Sequence, residues 1–270
     1  MTGVQVVSSG GGTGGREEVR EPGREPAGEP AGEAARPELR SDITVRVVDH
    51  SASDTAVLKA ARVSTVGEAA NREERSEEYT RGLIRYLMRS RHGSPFEHTS
   101  MTFLIDAPIF TVRHLMRHRT WSFNEESARY REVRPVFYVP DENRLLRQEG
   151  KPGHYRYVPG TAADREQLLL STARAYGAAY TEYTRLLELG IAREIARLVL
   201  PVSTYSAVYA TCNARALMHF LSLRTHRPDA VYVSHPQREI EVVAEQMEEA
   251  WSKLMPVTHE AFTAFGRVSP

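Results

Sequence analysis

Hydrophobic and polar positions divide the chain into short patterned segments behind an unpatterned start. Ile43 to Val48 (ITVRVV) alternates apolar with polar residues, the period of a half-buried strand. Ser53 to Val63 reads as a short helix, with Ser53 and Asp54 suited to capping it. Ser76 to Arg91 is a stronger helix: Tyr79, Leu83, Tyr86 and Leu87 share one face, and Gly93 follows as a stop. His98 to Ile105 reads as a strand, and Pro108 suits the first turn of a helix running to about His118.

Arg119 to Arg131 is polar and lacks a period, so it is expected to be a loop. Pro135 to Val139 is a short strand, and Ala162 to Leu189 a long helix whose Tyr and Leu positions are expected to serve packing. After Gly190 a second helix, Ala192 to Leu200, is ended by Pro201. Tyr205 to Thr211 fits either a strand or a helix, whereas Asn213 to Arg224 and Pro236 to Leu254 are helical. Strands and helices intermix without repeating βαβ units, which predicts an α+β fold with a mixed or antiparallel sheet and packed helices. No strand is followed by a Gly-rich dinucleotide-binding turn.

Residues 1–40 carry almost no aliphatic or aromatic side chains and include a short EPAG repeat. Such a segment cannot bury enough apolar surface to offset its ordering entropy, so it is expected to be a disordered tail ahead of one catalytic domain, 41–270. It has no apolar h-region, and its glutamates argue against a mitochondrial presequence. No apolar run approaches the ~20 residues that span a bilayer. The expectation is a cytoplasmic protein with no membrane partner.

The formal net charge is zero, which argues against a general nucleic-acid binder. The basic residues are almost all arginine, the lysines being Lys59, Lys151 and Lys253, and arginine concentrates between Arg113 and Arg134. Cys212 is the only cysteine, so neither an intramolecular disulfide nor a thiolate metal cluster can form within one chain.

Chemistry gathers between Arg117 and Tyr130: Arg-His-Arg-Thr-Trp-Ser-Phe-Asn-Glu-Glu-Ser-Ala-Arg-Tyr. Arg117 and Arg119 supply planar charged forks for phosphate or carbonyl oxygens. His118 can stack on or donate to a ring, Asn124 and Glu125 can read a base or a ribose, and Ser127 and Arg129 add a hydroxyl and another fork. A solvated charged loop is the plain alternative, but such a loop has little use for Trp121, Phe123 and Tyr130 among its charges.

The pattern RHRxxSxNExSxRY resembles the signature of the flavin-dependent thymidylate synthases, and every fixed position of it is present. Supporting blocks stand in order on both sides: His92 to His98 and Ala107 to Phe110 upstream, Ala196 to Pro201 and Asn213 to Met218 downstream, with Leu221 to Arg224 closing the second. The resemblance spans roughly Ile43 to Phe265.

It implies a homotetramer that makes dTMP from dUMP, with 5,10-methylenetetrahydrofolate giving the one-carbon unit and NADPH reducing bound FAD. Carried onto this chain, Arg117, His118, Arg119 and Glu125 would contact FAD, joined by His92, Ser94, Asn213, Arg215 and His219. The nucleotide would be held along His114, Leu115, Met116 and Arg117, along Glu125, Glu126, Ser127, Ala128 and Arg129, and by Arg197 and Arg224. Arg224 would sit at the uracil edge and favour ionisation at N3, a task suited to a group that stays protonated. At position 219 family members vary, often carrying asparagine, so His219 departs from the pattern.

Ser127 lacks an obvious general base and is assigned to nucleotide binding rather than to attack. Cys212 sits in an apolar stretch and is assigned to packed core, without a catalytic role. His114 and His118, spaced i and i+4, lack the glutamate and third ligand of a zinc site. At about 100° per residue, Asn213 and Arg224 share one face of their helix and Arg215 and His219 lie nearly opposite, an arrangement suited to a helix between subunits. The rival from another class is a nucleic-acid-binding module; a second rival keeps the flavin and methylates uridine within RNA.

Overall fold

The computed structural model describes residues 37–70 and 75–270, and most of the expected tail therefore lies outside the described residues. In chain order the elements begin β1 (Glu38–Arg40), β2 (Thr44–His50), α1 (Asp54–Ala70), α2 (Glu77–Arg89) and β3 (Met101–Pro108). Next come α3 (Ile109–Leu115), β4 (Ser122–Glu125), β5 (Val136–Tyr138), β6 (Arg147–Lys151), β7 (His154–Val158) and α4 (Ala162–Glu188). The last are α5 (Arg193–Ala196), β8 (Tyr205–Cys212), α6 (Ala214–Arg224), α7 (Arg238–Leu254) and α8 (Pro256–Ala264).

Helices pack on an antiparallel four-stranded sheet of order β2-β3-β8-β4, which agrees with the α+β expectation. β3 and β8 are its spine, in register from Met101 opposite Cys212 to Pro108 opposite Tyr205. Alternate β3 residues Met101, Phe103 and Ile105 are buried, and they meet Phe220 of α6 and Trp251 of α7 in one core. The edge strand β2 is covered by a side chain of α7: Val45 N–H donates to Gln246 Oε1 at 3.0 Å, and Gln246 Nε2 donates to the Ile43 carbonyl at 2.8 Å. These two bonds occupy the start of the β2 edge, where it would otherwise offer free groups for pairing with another chain.

Several sequence expectations are corrected. Arg119 to Arg131 is not all loop, because Ser122–Glu125 forms β4 against β8. Glu38–Arg40, read as tail, pairs parallel with β5. On α2 the buried residues are Ile84, Leu87 and Met88, whereas Tyr79 and Tyr86 are exposed and take arginine cations on their rings. Ser53 caps α1 through Ala56 N–H as expected, but Asp54 serves α8 instead, accepting from Val257 and Thr258 N–H at 2.9 Å each. Tyr205 to Thr211 resolves as strand, since its flanking partners β3 and β4 supply a ladder on each side. On α4 the tyrosines do serve packing: Tyr176 and Tyr180 donate to the Tyr138 and Val133 carbonyls, and Tyr183 accepts from Val133 N–H. Its leucines differ, with Leu169 and Leu170 exposed on the single chain.

Candidate active site

α3 delivers the motif. Its first-turn N–H groups, which have no partner within a helix, donate to the loop before β8: Ile109 to the Thr204 carbonyl and Phe110 to the Val202 carbonyl, both at 3.0 Å. Beyond α3 the chain turns back at Trp121, which is buried, stacks on Phe123 at 6.1 Å and meets Phe220 at 5.2 Å. The motif's aromatics at 121 and 123 therefore anchor the loop to the core, while Tyr130 is exposed beside Arg129.

This anchoring turns Arg113, His114, Arg117, His118 and Arg119 toward Arg224 and His219 of α6 around a cavity of about 770 Å³. No carboxylate lines it, and among the described residues no ion pair joins Arg113, Arg117, Arg119 or Arg224 to an acid. Burial, with the Arg224 and His219 charges beside it, pulls His118 down to about 4, so the ring is neutral at pH 7. Its Nε2 accepts from Arg224 Nε at 3.3 Å, and its ring packs edge-on against Phe220 at 4.9 Å. Burial and the Arg224 and Arg117 charges likewise lower His114. Burial and Arg117 lower Arg224 itself. A site with so much uncompensated positive charge favours a polyanion.

A second cavity, about 420 Å³, is lined by Glu125, Glu126, Ser127, Ala128 and Arg197 together with Arg131, Arg134 and Tyr205. Here charge is matched. Glu126 pairs with Arg131 at 3.0 Å and Arg134 at 3.8 Å, and Arg134 also reaches Asp106 at 2.9 Å. Arg129 does not line this cavity; its Nε donates to Glu194 of α5 at 2.8 Å. A third cavity of about 290 Å³ is lined by Glu97, Asn213, Arg215, Ser269 and Pro270, and it adjoins the first through Thr120 and His219, which line both.

The geometric expectation for α6 is corrected here. His219 and Arg224 line one cavity, and Asn213, Arg215 and His219 another, so the two sides are not segregated. Asn213 is the extended N-cap, its Oδ1 accepting from Ala216 N–H, so helical angles do not apply to it, and the long side chains reach around the helix. His92 and Ser94 line none of the three cavities; His92 is exposed, edge-on to Tyr86 at 5.7 Å. Leu115 is core and Met116 is exposed, and neither lines a cavity. Cys212 is buried on β8, and burial pushes its thiol up. Sequence reasoning gave no role to Arg113, Arg131 or Arg134. The available signal for Arg113 was its i, i+4 spacing to Arg117; nothing local marks the other two.

The donors suit a flavin dinucleotide. Uncommitted guanidinium forks fit a pyrophosphate, and the larger of the two adjoining cavities falls within the range of cofactor sites. Among the described residues no helix is long and apolar enough to cross a membrane.

The family model described as thymidylate synthase complementing protein matches residues 46–257. A flavin-dependent thymidylate synthase of Streptomyces avermitilis is 58% identical over 87% of this chain and 96% of its own length. One from Tropheryma whipplei is 52% identical over 87% of this chain and 98% of its own. Among solved structures, a UMP/dUMP methylase PolB from Streptomyces cacaoi bound with 5-Br dUMP superposes with a TM-score of 0.82 at 80% identity, covering 86% of this chain and all of that one. The form bound with 5-Br UMP gives a TM-score of 0.81 at 78% identity. The chain belongs to the flavin-dependent thymidylate synthase family of enzymes.

Proposed function

We propose that this chain methylates C5 of dUMP to give dTMP, taking the one-carbon unit from 5,10-methylenetetrahydrofolate and reducing power from NADPH through bound FAD. The observation that carries the reading is the cavity of four arginines without a carboxylate, two of them, Arg117 and Arg119, from the family motif and the others, Arg113 and Arg224, from α3 and α6. When bound and reduced, the flavin supplies a hydride from N5. Arg117, His118, Arg119, Asn213, Arg215 and His219 hold it, and the joined cavities around Thr120 give it room. The nucleotide phosphate and sugar fall to His114, Ser127, Arg129 and Arg197, with Glu125 beside both ligands. Arg129 must then exchange Glu194 for phosphate, an exchange made easy by the exposure of that pair.

Arg224 holds the uracil edge and stabilises negative charge at N3, which raises electron density at C5. Its uncommitted donors and its position beside neutral His118 support that role. No enzyme thiolate is used, in keeping with a buried Cys212 whose thiol stays protonated. The catalytic unit is the domain 41–270, acting as a homotetramer; exposed Leu169, Leu170, Ile195 and Leu198 supply apolar surface for subunit contacts.

A second reading, that UMP is also a substrate, is favoured by the Streptomyces cacaoi methylase bound with 5-Br UMP. Tritium release from 5-labelled dUMP, UMP and RNA separates the readings, and release from RNA alone would sink both nucleotide assignments. The first measurement is the visible absorbance of the purified protein and its bleaching by NADPH with dUMP present. Protein that neither carries nor acquires FAD ends the proposal.

A further inference from the structure

The segment Val268–Pro270 lies against the first turn of α6, where the family motif did not reach. Arg215 Nε donates to the Pro270 carbonyl oxygen at 2.7 Å and its Nη1 donates to Glu97 Oε1 at 2.5 Å. The segment is tied down in return. Ser269 Oγ donates to the Arg215 carbonyl at 3.0 Å, and Arg91 Nη1 donates to the Val268 and Ser269 carbonyls at 3.3 and 3.1 Å. Arg91 takes a left-handed φ of 61°, an unfavourable conformation for a residue with a Cβ, as the chain leaves α2.

Gly93 explains itself in the same contact. Its φ of −78° and ψ of −28° are open to any residue, so backbone freedom is not what glycine supplies. A Cβ there would stand 2.5 Å from Arg215 Nε and 2.7 Å from the Pro270 oxygen, closer than real atoms approach. Glycine is thus required for the guanidinium and the Pro270 backbone to meet over it.

We infer that Glu97 and Val268–Pro270 form a clamp that positions Arg215 for the flavin. This rests on the reading that Arg215 contacts FAD. A free arginine side chain carries rotamer entropy that any ligand would have to overcome. Two acceptors, one on Nε and one on Nη1, remove much of that freedom beforehand, and a guanidinium with five donors still has three uncommitted. Ser269 and Pro270 line the same cavity as Asn213, Arg215 and His219, so the clamp is also the wall of the space it serves. The Arg215–Glu97 pair is half exposed and adds little stability by itself, which points to geometry as its use.

The test is the FAD dissociation constant, read from flavin fluorescence and the bound-flavin absorbance band, alongside thermal stability. Gly93→Ala and Glu97→Ala are each expected to weaken FAD binding about tenfold, whereas Glu97→Gln, which keeps the acceptor, stays within about twofold. Ser269→Ala provides a further exposed variant should Gly93→Ala fold poorly, with an expected loss of about threefold. Unchanged affinity in the folded Glu97→Ala and Ser269→Ala proteins overturns the clamp. Tighter binding overturns it too, because the segment would then obstruct Arg215. Failure of the underlying reading is separate: the parent protein would not bind FAD, or Arg215→Ala would bind it as well as the parent.

Discussion

Arg267 and Arg224 both lie within the helical half of this fold, yet their charges are treated in opposite ways. Arg267 is 5% exposed and donates to both Glu248 oxygens at 2.7 and 2.8 Å and to the Thr225 hydroxyl at 3.2 Å. Glu248 in turn meets His259 Nε2 at 3.0 Å. Arg224 meets only a neutral histidine, and the charge beside it is another arginine. A charge that serves the fold is neutralised in place, because a buried ion without a partner is costly. A charge that serves a ligand keeps its donors uncommitted and bears that cost until the ligand arrives.

The largest expected effect breaks the structural pair. Arg267→Ala leaves Glu248 buried without its main partner and is expected to cost about 3–5 kcal/mol, read as a lowered urea midpoint. Ligand affinity of the folded fraction should not change, because Arg267 lines none of the three cavities. Next, Arg224→Ala is expected to lower turnover roughly 10²–10³-fold while FAD affinity moves less than about threefold. Its stability should hold or rise, since it removes repulsion from Arg117. A stability loss matching that of Arg267→Ala would erase the contrast, and loss of FAD would mean that Arg224 serves the flavin.

Acid sharpens the comparison further. Burial raises Glu248, but hydrogen bonds from His259 and Arg267 outweigh it and hold the carboxyl at about 2, against 4.5 ordinarily. A folded value below the unfolded one contributes stability that is present above pH 4.5 and lost as pH falls toward 2, about 3 kcal/mol in full. His118, at about 4 against 6.5, is neutral in the fold, so its contribution is complete above pH 6.5 and is lost as pH falls to 4. Urea midpoints between pH 7 and pH 3 should therefore fall in two stages, and His118→Gln should shrink the upper one, leaving the part that His114 contributes. Phosphate in the cavity should raise the His118 value in an NMR titration; no movement would place the anion elsewhere. The smallest effect is expected of Cys212→Ala, with turnover within about twofold of the parent, and abolished tritium release would reinstate a thiolate.

Much of the fold was legible because local patterns carried it. The alternation of β2, the long period of α4 and the cap at Ser53 need no distant partner to be read. Ser122–Glu125 was illegible as strand because its pairing with Glu125↔Val208 and its neighbours spans some eighty residues. β6 and β7 are exposed except at Val158, so neither has a buried face to mark it as a strand. Tyr79 and Tyr86 misled because aromatic residues at helical spacing need not face inward when arginines cover their rings.

The motif from Arg117 to Tyr130 shows where the division falls. Residue types and spacing alone determined the α+β class, the family and the supply of guanidinium forks, because these depend on short-range order along the chain. Which forks share a cavity was decided only when Trp121 packed on Phe220 and brought α3 beside α6. Other tertiary contacts left Arg224 without a carboxylate partner, tied Arg129 to Glu194 and set Pro270 over Gly93 against Arg215. Those contacts join residues 55 to 177 positions apart or depend on which charge reaches which first, and no local pattern encodes either.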